Sequence, residues 1–223
     1  MSDLGTGTVT PRWVRRTSDA WAVVGGLVVL AAGTVAVRDG AVLGWEADVF
    51  DAVNGLPEAL YPVLWPFQQI GAVLVGPLAA LVAAVLRKWR LAGALVAATV
   101  LKLVLERVVK VMVTRERPAT SIGGDVELRG DVPTAGESFV SGHAVLVAAI
   151  ACLVVPYLPR RWRPVPWALV GLVMVGRVYV GAHNPLDVVC GAALGVVIGS
   201  ALNLVFAVPA DDVDAPRTAE AAS

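Results

Sequence analysis

Charge is what this chain has least of. Only 16% of its 223 residues are Asp, Glu, Lys or Arg, against about 25% in an ordinary soluble domain. The shortage is uneven, for no charged residue occurs from Ala59 to Leu86 or from Val188 to Ala210. Apolar runs of roughly 18 residues or more read as membrane spans, so the chain reads as an integral membrane protein. Lys and Arg balance Asp and Glu at 18 each, which removes the basic field that a nucleic-acid partner needs. Cysteine is nearly missing: Cys152 and Cys190 both fall inside apolar runs, which argues against a disulfide framework and for two buried thiols. No Asp/Glu cluster suited to a divalent metal accompanies the polar motifs, and neither metal nor cofactor is expected. Histidine occurs only at His143 and His183. Internal repeats and low-complexity tracts are absent.

What is present is a series of six apolar segments, approximately 20–37, 60–86, 91–113, 139–158, 164–180 and 186–208. They predict an all-α fold, a six-transmembrane helix bundle with its site at the extracytoplasmic membrane surface. The domain reading is a cytoplasmic segment 1–19, a membrane domain 20–208 and a cytoplasmic, disordered tail 209–223. The first span has no small-residue cleavage site after it and reads as retained. Pro62, Pro66 and Pro77 are expected to bend the second. Cations crowd "RWVRR" at the N-terminus, "RKWR" at 87–90 and "PRRWR" at 159–163. The loop 38–58 sets Arg38 against Asp39, Glu46, Asp48, Asp51 and Glu58. Cationic loops stay cytoplasmic, so both termini face the cytoplasm and loops 38–58, 114–137 and 181–185 face out.

Three polar clusters then fall on one face of the membrane. In "KVMVTRERP", Lys110 and Arg117 are two helical turns apart and share a face, with the helix ending before Pro118. In "SFVSGHAVLVAAI", Ser141 is a candidate N-cap that leaves Gly142 and His143 in the first turn, where free N–H groups suit an anion. In "GRVYVGAHNPLDVVCG", Arg177 ends one span and Gly181 closes it, while Asn184 and Pro185 open the next. Asp187 falls in that first turn beside His183, whose ring it can orient. Each piece alone has a plain explanation in snorkelling, capping or a local ion pair. Together, three cations, two imidazoles and helix N-termini describe a phosphate site, and ionisable groups at membrane depth are functional candidates. Lys102 and Glu106 precede Lys110 at four-residue intervals; they either orient Lys110 or make a structural polar contact between helices, and the sequence leaves both open.

The three motifs K-x6-R-P (Lys110, Arg117, Pro118), S-G-H (Ser141, Gly142, His143) and R-x5-H-x3-D (Arg177, His183, Asp187) resemble those of the type 2 phosphatidic acid phosphatase family, whose active site is shared with vanadium haloperoxidases. The resemblance covers roughly residues 42 to 205 and points to a small bacterial membrane member. It departs at two places, since the family commonly writes P-S-G-H and S-R where this chain has Val140 and Gly176. The resemblance implies a metal-independent phosphatase in which His183 is the nucleophile, Asp187 aligns it, and His143 serves as acid and then base. It further implies that Lys110, Arg117, Ser141, Gly142 and Arg177 bind the phosphate. The expected partners are membrane lipid and a lipid phosphate substrate, foremost a polyprenyl (undecaprenyl or decaprenyl) diphosphate, with phosphatidic acid or phosphatidylglycerol phosphate as alternatives. A non-catalytic lipid-binding or lipid-translocating protein is the alternative of another class. The loop 119–137 is expected to cover the site.

Overall fold

The computed structural model describes residues 12–124 and 126–210. The tail expected to be disordered lies almost wholly outside the described residues, as do the first eleven residues of the N-terminal segment. The chain is helical: α1 (Thr17–Ala36), α2 (Gly44–Asn54), α3 (Tyr61–Gln69), α4 (Val75–Val85), α5 (Trp89–Met112), the short α6 (Pro118–Ser121), α7 (Gly142–Val154), α8 (Pro164–Tyr179) and α9 (Pro185–Phe206). A two-residue ladder pairs β1 (Trp13–Val14) antiparallel with β2 (Val208–Pro209) and ties the two ends of the described chain together.

The apolar runs sort by what surrounds them. α9 sits at the centre, packed on α7, α1 and α5. Its 22 residues and the 20 of α1 are each long and apolar enough to cross a membrane. Only 11% of the apolar window of α1 is buried, against 61% for α9, so α1 presents its side chains outward while α9 is enclosed. The outward band continues over Leu78, Leu81, Val82 and Val85 of α4 and Val100, Leu103, Val104 and Val111 of α5, a surface suited to lipid. The remaining expected spans do not pass on length and composition. α8 has 16 residues, and α5 carries Lys102, Glu106, Arg107 and Lys110 among its 24.

Close approach at the centre comes from glycine. Gly191, Gly195 and Gly199 recur at four-residue spacing along α9, and a Cβ at any of them would press on the α7 backbone at Ser141, Val145 or Ala149. α7 is consequently buried along almost its whole length.

Three boundaries differ from the sequence expectation. The segment 60–86 is two helices: α3 runs through Pro66 to Gln69, and the chain turns over Ile70–Leu74 before α4. At that turn Gly71 lets the backbone lie against His143, where a Cβ would come within 2.7 Å of the His143 Cβ. The loop 38–58 contains α2, whose Phe50 and Glu46 are buried. α5 ends at Met112, five residues short of Arg117. Val113 is extended, and Arg115 pairs with the strand-like chain opposite: its N–H donates to Glu137 Oε2 at 2.9 Å, and its carbonyl accepts from Ser138 N–H at 2.7 Å.

Candidate active site

The C-terminal ends of α5 and α8 and the N-terminal ends of α7 and α9 bring the three motifs together. On α5, Lys102 Nζ lies 2.7 Å from Glu106 Oε2, and Lys110 Nζ lies 2.9 Å from Glu106 Oε1. One carboxylate thus bridges two ammonium groups down one helix face. Gly142, at the start of α7, packs directly on that carboxylate and leaves no room for a Cβ. The glycine of the S-G-H motif is therefore where Glu106 docks.

Lys110 and Arg117 do not share a helical face, since α5 ends between them; the extended segment 113–117 delivers Arg117 instead. Its Nη1 donates to Ala182 O at 2.8 Å and its Nε to Ala135 O at 3.2 Å, so it bridges the loop before α7 and the residue before His183. From α8, Arg177 Nη1 donates to Gln68 Oε1 of α3 at 3.1 Å. Gly176 makes that contact possible, because a Cβ there would meet Gln68 Cγ at 3.0 Å. His143 lies in the electrostatic reach of Arg177, His183, Lys102 and Lys110.

Ser141 occupies the N-cap position of α7, with its carbonyl accepting from Val145 N–H at 3.0 Å. Its side chain makes no cap hydrogen bond, contrary to expectation, and the buried Oγ has no partner. Arg177 Nε and His183 Nδ1 are likewise buried without a hydrogen-bond partner. Native proteins rarely orphan buried polar atoms, and here Ser141 Oγ belongs to the S-G-H motif and Arg177 Nε and His183 Nδ1 to R-x5-H-x3-D, while Arg115 Nε and Asn184 Oδ1 beside them are also without a partner.

Gly181 closes α8 with a φ of +75°, and His183 follows in the short connection to α9. Its Nδ1 faces Asp187 Oδ2 at 3.6 Å, longer than a hydrogen bond. Burial pushes the imidazole down to about 4 against the pull of Asp187, so the ring is neutral near pH 7. Asp187 is not a partner of His183 alone. Its Oδ2 accepts from Asn184 N–H at 2.8 Å and from the Ser138 hydroxyl, and its Oδ1 accepts from Arg115 Nη1 at 2.7 Å.

Arg115, Glu46, Ser138 and Gln68 are the residues that sequence reasoning passed over. Arg115 is fully buried and shared between two fully buried carboxylates. Its Nη2 lies 2.5 Å from Glu46 Oε2, and Glu46 Oε1 also accepts the Leu186 N–H at 2.8 Å. The available signal was Arg115 itself, a cation two positions before Arg117 in "TRERP". Glu46 gave none, as one of five acids in an apparent outer loop. Among the described residues no three His, Cys, Asp or Glu side chains cluster as a metal site, and Cys152 and Cys190 are free and buried.

Two solved structures share this arrangement of helices. LpxE of Aquifex aeolicus superposes with a TM-score of 0.65 and 25% identity, over 72% of this chain and 95% of that one. A transmembrane PAP2 type phosphatidylglycerolphosphate phosphatase from Bacillus subtilis gives a TM-score of 0.61 and 22% identity, over 84% of this chain and 95% of that one. No curated protein matches the chain in sequence. The family model described as the PAP2 superfamily matches residues 87–208, a stretch that holds all three motifs and more than half of the chain, which therefore belongs to the PAP2 superfamily.

Proposed function

We propose that the chain hydrolyses a lipid phosphate in two displacements, without a metal, at the extracytoplasmic end of a six-span bundle. The observation that carries this reading is the pair of buried, unpartnered atoms Ser141 Oγ and Arg177 Nε, both of which a phosphoryl group would engage, beside a neutral His183. His183 is neutral and turns Nδ1 toward Asp187, which leaves Nε2 to attack phosphorus. The P–Nε2 bond forms as the bond to the lipid oxygen breaks, and His143 protonates the departing oxygen. Water, deprotonated by His143, then attacks the phosphohistidine and releases phosphate. Lys110, Arg117 and Arg177 with the Ser141 hydroxyl and the Gly142 N–H neutralise the transferring oxygens. Glu106 and Lys102 fix Lys110. Hydrogen bonds of the His183–Asp187 kind are often long before substrate arrives and tighten in the complex.

The substrate we favour is a polyprenyl diphosphate, with phosphatidic acid and phosphatidylglycerol phosphate as the alternatives. An apolar band surrounds the bundle, so a long lipid tail stays in the bilayer while its phosphate reaches the ends of α5 and α7. Phosphate release by the purified protein from these three substrates, in EDTA, is the test. Release should persist in EDTA, fall sharply with vanadate as a mimic of the five-coordinate transition state, and be fastest with the polyprenyl diphosphate. Activity lost in EDTA and restored by magnesium would reject metal independence. No release from any of the three would favour a lipid-binding or lipid-translocating protein.

A further inference from the structure

The cations of the candidate site differ in what holds them. Lys102 and Lys110 lean on Glu106, and Arg115 is shared between Glu46 and Asp187. A carboxylate meets each of these charges before any ligand arrives. Arg117 and Arg177 are held by neutral acceptors instead. Arg117 donates to the carbonyls of Ala135 and Ala182, and Arg177 donates to the side-chain amide of Gln68. The two arginines also lie within electrostatic reach of each other, a repulsion that an anion between them would relieve.

The hold on Arg177 comes from outside the three motifs. α3 carries Gln68 inward until the polar side chain is only 4% exposed, and its Oε1 accepts from Arg177 Nη1 at 3.1 Å. Gly176 leaves the room, since a Cβ there would come within 3.0 Å of Gln68 Cγ. One turn further on, the Gly71 N–H donates to Gln68 O at 3.0 Å, and Gly71 itself lies against His143. Residues 68–71 thus touch both Arg177 and His143.

Which nitrogen is held decides what the arginine can do. In a guanidinium, Nε and Nη2 share one edge and point the same way, a fork that grips two oxygens of one phosphate. Nη1 lies on the other side. With Nη1 on Gln68 the fork stays open, and its Nε is buried without a partner. A carboxylate at position 68 would hold the same nitrogen but cancel the charge that phosphate needs. An apolar side chain there would leave the guanidinium free to swing.

We propose that Gln68 is a positioning residue that fixes the Arg177 guanidinium for an incoming phosphoryl group without neutralising it. The proposal rests on the lipid phosphatase reading for the identity of that group. The test uses the full-length purified protein in detergent with vanadate as the oxyanion. It reads the Tm rise that vanadate causes, and phosphate release from phosphatidic acid, phosphatidylglycerol phosphate and a polyprenyl diphosphate. The parent should gain Tm in a saturable way. Gln68→Met keeps the bulk and removes the acceptor, so its apparent vanadate affinity should fall about tenfold, the weight of one hydrogen bond to a charged group. Gln68→Glu keeps the acceptor and adds a counter-charge, and its vanadate affinity should fall further although the contact survives. Gly176→Ser crowds Gln68, so it should weaken vanadate by itself and add little to Gln68→Met, because both act through one contact.

Undiminished vanadate affinity in Gln68→Met and Gln68→Glu, even with a lowered Tm, would make Gln68 a packing residue and overturn the proposal. Full additivity of Gly176→Ser with Gln68→Met, or a parent that vanadate does not stabilise, would overturn it too. The expected order of vanadate affinities without phosphate release from any of the three lipids would support the Gln68 assignment and reject the phosphatase reading.

Discussion

Glu46 and Asp187 divide a single guanidinium between them, and both are fully buried. The three carry a net charge of −1, so removing Arg115 strands two buried carboxylates, a cost of about 3–5 kcal/mol, whereas removing Glu46 leaves Arg115 paired with Asp187. Arg115→Met should therefore lower Tm strongly and Glu46→Leu less, and the double variant less than the sum of the two. Turnover should stay low in the double variant, because Asp187 has lost Arg115 and with it one anchor opposite His183. Recovery of both Tm and turnover would reduce the triad to a purely structural role. The two histidines separate by leaving group. His183→Ala should lose all turnover on any substrate. His143→Ala should retain a burst of nitrophenol from a nitrophenyl phosphate, followed by a slow rate and acid-labile phosphate on the protein, since that oxygen leaves without an acid. Label on His183→Ala would exchange the two assignments. At this scale the motif residues were legible because chemistry selects their type, whereas Glu46 and Ser138 were not. They are ordinary side chains that matter only because α2 and the chain before α7 are folded against Asp187.

The helices meet through absent side chains as much as present ones. Gly195 of α9 abuts Val145 O, but Gly171 of α8 has open space where its Cβ would be. Gly171→Ala should raise Tm, a helix-propensity gain of up to about 1 kcal/mol. Gly195→Ala should lower Tm by forcing α9 from α7, an overpacking cost of about 1–3 kcal/mol. Thermal unfolding in detergent checks the pair, and equal changes of one sign would mean that the glycine seam does not set the spacing. Helix cores were legible from apolar run length; helix ends were not. Beyond Val113 the chain no longer bonds within α5; Arg115, two positions on, bonds across to Glu137 and Ser138 instead, partners more than twenty positions away. The division of segment 60–86 likewise depends on Gly71 resting on His143, which no local pattern announces. The departure at Gly176 also gains a meaning here, since α3 delivers Gln68 to Arg177 through the space that a serine would take.

For the molecule as a whole, the described chain begins and ends at the same end of the bundle, because β1 and β2 are paired. The proposed six-span bundle, with an even number of crossings, agrees with that pairing. Single cysteines at Thr120 and Arg161 should label from opposite faces of the membrane, Thr120 from outside, while the buried Cys152 and Cys190 stay silent. Labelling of both from one face would reject the orientation drawn from loop charge. The β1–β2 clasp also decides how the protein responds to load. It is an antiparallel ladder of two residues per strand, and tension applied at Arg12 and Ala210 reaches its bonds one after another, from the open end. Once it yields, the pull passes to α1 and to the last turns of α9, which pack on each other. Asn184 and Asp187 lie at the far end of α9 from that pull. The machinery around His183 is thus the part of the central helix that a force on the chain ends reaches last.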